Sequence, residues 1–114
     1  MIFFSKHLEQ SVATRWKPPA DLYRTPEGWV IKCDLAGVRS EDVEVQAHGF
    51  EITVRGLRRD WVVEEGWCHY SMEISYSEFE RTIEIPCNVE AAEIKTEYIE
   101  GMLIIRIGTG ADLP

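Results

Sequence analysis

Three histidines, three cysteines and a few adjacent carboxylates are the side chains of this 114-residue sequence best suited to chemistry. A zinc site needs His or Cys ligands at short spacings, such as two histidines one helical turn apart or a C-x-x-C pair. His7, His48 and His69 have no partner at such spacing, and Cys33, Cys68 and Cys87 form no C-x-x-C. They read as ordinary surface or turn histidines, and no metal is expected. Nucleophilic catalysis calls for a Ser or Cys on a strained turn with a base in reach. No G-x-S-x-G occurs, and the cysteines fall in or beside predicted strands as core or near-surface thiols. Glu41-Asp42 and Glu64-Glu65 lie in loop contexts, where solvation rather than pKa tuning is expected. No Gly-rich loop precedes a helix to cradle a phosphate. The sequence therefore predicts no enzyme and no cofactor.

What remains is a protein that acts through its surfaces, and composition narrows which surfaces it meets. A formal charge of -8 and a pI near 4.8 repel phosphate backbones and anionic membranes, so neither nucleic acid nor membrane is expected as partner. An odd number of cysteines without paired spacing argues against a disulfide framework and fits a reducing, cytoplasmic setting. Lys6 and His7 interrupt the apolar opening Met1-Ile2-Phe3-Phe4 before a signal-peptide core of roughly 7 to 15 residues forms. A soluble chain with one domain and a modest core is expected.

The elements that position these residues read as two unlike parts. In residues 1–17, Phe4, Leu8, Val12 and Trp16 recur every fourth residue, a helical period that Pro18-Pro19 ends. This stripe has two readings, packing on its own domain or contact with another molecule. From Ala20 onward the period becomes 2, punctuated by Gly and Pro, as in antiparallel strands. Trp29, Ile31, Cys33 and Leu35 share one face of a strand. Val43, Val45 and Ala47, then Phe50, Ile52 and Val54, form a hairpin turned at Gly49. Thr82–Ile85, ending at Pro86, and Leu103, Ile105 and Ile107, ending at Gly108, read as two further strands. Residues 87–100 read as a polar connection holding a short strand or a helical turn near Ala91-Ala92. Short strands without a helix after residue 20 predict an all-β fold, a two-sheet sandwich over residues 18–107, followed by a tail over 108–114.

The punctuation of residues 18–107 resembles the α-crystallin domain of small heat-shock proteins. Asp34-Leu35-Ala36-Gly37-Val38 resembles the family's D-L-P-G-V, Tyr76-Ser77-Glu78-Phe79-Glu80-Arg81 its Y-G-x-F-x-R, and Ile85-Pro86 its L-P. Glu100-Gly101-Met102-Leu103 resembles the N-G-V-L before the last core strand, and Ile52 to Arg58 lies in register between them. Ala36, Ser77 and Ile74 depart from the usual Pro, Gly and Arg. The resemblance implies an immunoglobulin-like antiparallel sandwich and an ATP-independent chaperone, a holdase that captures partly unfolded clients. It implies a homodimer or small oligomer as well. A second resemblance, to p23-like co-chaperone sandwiches, would imply an interaction module without holdase activity.

Three surfaces follow as expectations. Clients meet mobile apolar groups, with Phe3, Phe4, Leu8, Val12 and Trp16 as candidates. The segment between Arg58 and Glu73 is too long for a tight hairpin and too apolar for a solvated loop. It resembles the loop that bacterial and plant members exchange between subunits, which implies dimer contacts at Trp61, Val62, Val63, Trp67 and Tyr70. A groove between two strand edges, Val43, Val45 and Ala47 on one and Ile83 and Ile85 on the other, is expected to take another segment. The family's I-x-I plug has no counterpart in residues 108–114, and Ile105-Arg106-Ile107 reads as core.

Overall fold

The computed structural model describes residues 16–108. Alternating apolar residues need an opposing layer, and the described residues supply it by dividing seven antiparallel strands between two sheets. The strands are β1 (Ala20–Thr25), β2 (Gly28–Asp34), β3 (Val43–His48), β4 (Glu51–Leu57), β5 (Glu78–Glu84), β6 (Glu93–Ile99) and β7 (Met102–Gly108). One sheet has the order β1-β2-β7-β6 and the other β3-β4-β5. Trp29, Ile31, Cys33 and Leu35 from one layer meet Ile52, Val54, Phe79 and Ile83 from the other, with Leu103, Ile105 and Ile107 completing the core. The all-β sandwich expected from period and punctuation is the fold observed, and Ile105-Arg106-Ile107 lies within β7 with both isoleucines buried.

The differences from the sequence reading lie at edges and turns. Ala20–Thr25 and Glu93–Ile99 are full strands, although neither shows an apolar alternation, because each is an outer strand held by its neighbour's backbone. Residues 87–100 hold both alternatives, a turn closed by Ala92 N–H on the Val89 carbonyl (3.1 Å) and then β6. Strand β5 starts at Glu78, since Phe79 already faces the core. Phe50 is exposed rather than on the core face, because it is the second residue of the two-residue turn between β3 and β4. Gly49, at φ 61°, supplies the positive first dihedral of a type II′ connection.

The β6–β7 turn has Glu100 at φ 49° and Gly101 at φ 85°, the pair of left-handed residues that a type I′ turn demands. Asn tolerates this region far better than Glu. Glu100→Asn is therefore expected to stabilise the chain by about 0.5–1 kcal/mol in urea titration, with no change in assembly.

Candidate functional surfaces

Where β4 ends, two consecutive arginines organise the long loop over residues 58–77. The Arg58 N–H donates to the Ser77 carbonyl (3.1 Å), while its guanidinium donates to the carbonyls of Ser75 (2.8 Å) and Ala36 (3.1 Å). Both limbs of the loop are thereby closed at the base and fastened to the Leu35–Val38 turn, in which Gly37 stands at φ 82°. Arg59 makes a two-point ion pair with Asp42 (3.1 and 3.3 Å), in a single 3₁₀ turn, Ser40–Asp42. Planar guanidinium–carboxylate pairs of this kind carry geometric specificity as well as charge.

Beyond that base the loop carries apolar groups into solvent. The indole of Trp61 lies 3.3 Å beneath the Arg39 guanidinium, with Arg59 at 5.9 Å. Trp61 and Val63 are about half exposed, Val62 is 71% exposed, Trp67 is exposed and Tyr70 is 100% exposed. A turn at Glu64–Trp67, with Gly66 at φ 94°, forms the tip. Trp61, Val62, Val63 and Trp67, with Cys68, His69, Met72 and Tyr76, line a cleft of about 370 Å³ that Tyr70 does not join. Within one chain the loop forms no strand.

The expected groove has a different second wall. Val43 and Val45 lie on β3, a free edge, but Ile83 and Ile85 lie across β4 on the far side of the same sheet. Both are core residues, 8% and 2% exposed. The wall facing β3 is β6 of the other sheet, and a cleft of about 180 Å³ runs between Ser40, Val43 and Val45 on one side and Thr96, Glu97 and Tyr98 on the other. Ala47 is half-buried against the core and does not line it. The Tyr98 hydroxyl donates to the Leu35 carbonyl, and burial raises its pKa above the ordinary phenol value.

Of the arm candidates, Trp16 is seated on β5, and Phe3, Phe4, Leu8 and Val12 lie outside the described residues. Among the described residues no group of three or more His, Cys, Asp or Glu could hold a metal ion. No helix there is long and apolar enough to cross a membrane. His48 pairs with Glu90 (3.5 Å), and His69 belongs to the loop. Cys68 is exposed on the loop and Cys87 half-buried, whereas burial pushes the Cys33 thiol from 9.0 up to about 11. A thiol reagent should label Cys68 in the folded chain and Cys33 only after unfolding. Because the unfolded chain loses the Cys33 proton near pH 9 and the folded chain only near 11, Cys33 makes stability decline as pH rises through that window.

Known proteins are similar to this chain in sequence and in fold. The chain is 30% identical over 100 residues to Spore protein SP21 of Stigmatella aurantiaca, covering 83% of this chain and 59% of that protein. It is 31% identical over 97 residues to the 17.6 kDa class I heat shock protein 3 of Arabidopsis thaliana, covering 84% of this chain and 62% of that one. The chain thus spans about three fifths of the length of these curated relatives. The solved structure of Heat shock protein 16.0 from Schizosaccharomyces pombe has the same fold, with a TM-score of 0.73 at 24% identity, over 88% of this chain and 94% of that chain. With this fold in place, and with the model of the Hsp20/alpha crystallin family matching residues 21–111, the chain belongs to the Hsp20/alpha crystallin family, the small heat-shock proteins.

Proposed function

We propose that the chain is an ATP-independent holdase, not an enzyme, that binds partly unfolded proteins and keeps them from aggregating. The observation that carries this reading is the match of the sandwich to this family, and the exposed apolar and aromatic side chains on one long loop, Trp61 to Tyr76, supply the surface for its assembly. Client capture falls to Phe3, Phe4, Leu8 and Val12 of the arm, with Trp16 as its tether to the sandwich. Nonpolar area removed from water is worth roughly 25 cal/mol per Å², so apolar side chains capture a client without a shaped pocket. The acidic charge of the chain keeps a loaded complex apart from its neighbours. Residues 1–17 act as the arm, 18–107 as the sandwich domain and 108–114 as a tail, in the cytoplasm.

The working unit is a homodimer or small oligomer built by the loop. Strand β1 is an outer strand of its sheet and exposes Leu22 and Tyr23, so it can accept an extended apolar segment such as Trp61–Val63 from a second copy. The β3–β6 cleft is a separate site for a client, another family member or a neighbour's arm. Replacing Phe3, Phe4, Leu8 and Val12 together by Ser tests the arm. The variant should keep the wild-type melting transition while protecting a heat-denatured substrate at least about five-fold less well per mole. Unchanged protection would show that clients bind elsewhere than on the arm.

A further inference from the structure

Trp16 is held as if it were a ligand. Its N–H donates to the Glu78 carbonyl (3.0 Å), and its carbonyl accepts from the Glu80 N–H (3.3 Å), a parallel bridge to β5, the outer strand of its sheet. Its indole meets the Phe79 ring edge-on, with centroids 5.5 Å apart and planes at 75°. The Arg58 guanidinium covers another part of the indole, 3.7 Å from its centroid. Each wall of this slot is set by other parts of the fold. Phe79 is a core residue, and Arg58 is fixed by the carbonyls of Ser75 and Ala36.

We propose that this slot on β5 is a second client-binding site, specific for an aromatic side chain in an extended segment of non-native polypeptide, with Trp16 as its resident occupant. The proposal rests on the chaperone reading and names what one site would recognise. Main-chain groups of Glu78 and Glu80 accept any extended backbone and read no sequence. The pairing of a guanidinium face with an aromatic edge selects a flat ring over an aliphatic branch. On the C-terminal side of Trp16, Pro18 and Pro19 lack the N–H groups that would prolong the bridge. A client segment therefore competes with an intramolecular occupant, and the resident sets a threshold for capture.

The test uses the whole chain and a fluorescein-labelled peptide with the sequence of residues 12–19, Val-Ala-Thr-Arg-Trp-Lys-Pro-Pro. Fluorescence polarisation should show the Trp16→Ala chain binding it at least about ten-fold more tightly than wild type, because the slot is vacant. Changing the peptide's Trp to Ala should weaken binding to the Trp16→Ala chain at least about ten-fold, and adding Arg58→Ala to that chain should do the same. The peptide substitution leaves the protein untouched, so the test stands even where Arg58→Ala lowers the melting temperature. Equal binding by wild type and Trp16→Ala, equal binding of both peptides, or no binding at millimolar peptide overturns the slot. Protection of a heat-denatured substrate by the wild-type chain together with any of those results rejects the slot and leaves the holdase reading intact.

Discussion

Gly56→Ala is expected to cost about 3 kcal/mol or more, a large share of the roughly 5–15 kcal/mol that holds a domain of this size together. Gly56 lies in β4 between Val43 of β3 and Phe79 of β5. A Cβ there would stand 2.0 Å from the Asp42 carbonyl oxygen and 2.8 Å from Cζ of Phe79. The first contact is with backbone and the second with a buried ring, so neither neighbour can yield without moving the start of β3 or the seat of Trp16. Gly49→Ala is the matched control. Its Cβ would meet open space, and only the positive φ of 61° opposes it, at a cost of about 1 kcal/mol. Urea unfolding of both variants reads the difference, and a loss below about 1 kcal/mol for Gly56→Ala would show that the sheet relaxes around the clash.

Trp61→Ala combined with Val63→Glu is expected to weaken self-association at least about 100-fold while leaving the sandwich intact. Both side chains are about half exposed in a single chain, so neither supports the core. A buried Trp at an interface is a frequent centre of binding energy, and a carboxylate placed in a dry contact adds a desolvation cost. Together about 2.7 kcal/mol, the equivalent of 100-fold, is a modest demand on them. Sedimentation across a concentration series measures the effect. A dimer of wild-type stability in the double variant would contradict assembly through the loop.

The legible part of this molecule is the part whose own side chains alternate. Trp29 to Leu35, Val43 to Val54 and Leu103 to Ile107 each turn one apolar face inward, written in the sequence at period 2, although Ile104 on the opposite face of β7 is buried as well. Strands β1 and β6 have no such pattern. Asp21 to Arg24 are all exposed, and of Glu93–Ile99 only Ile94 is partly buried. Such strands form because the backbones of β2 and β7 need partners, which is information held elsewhere in the chain. The groove shows the same limit. That Val43 and Val45 would border a free edge follows from their strand, but the facing wall depends on which sheet β6 joins, and Thr96 and Tyr98 carry no local sign of it. The cation–π contacts of Trp61 with Arg39 and of Trp16 with Arg58 likewise join residues 22 and 42 positions apart.

Capture of unfolding proteins without nucleotide is read by light scattering from a heat-denatured model substrate mixed with the full chain in ATP-free buffer. Scattering is expected to fall progressively as chain is added and to be largely suppressed near equimolar subunits. Scattering that stays at the level of substrate alone in several-fold molar excess of chain would contradict it.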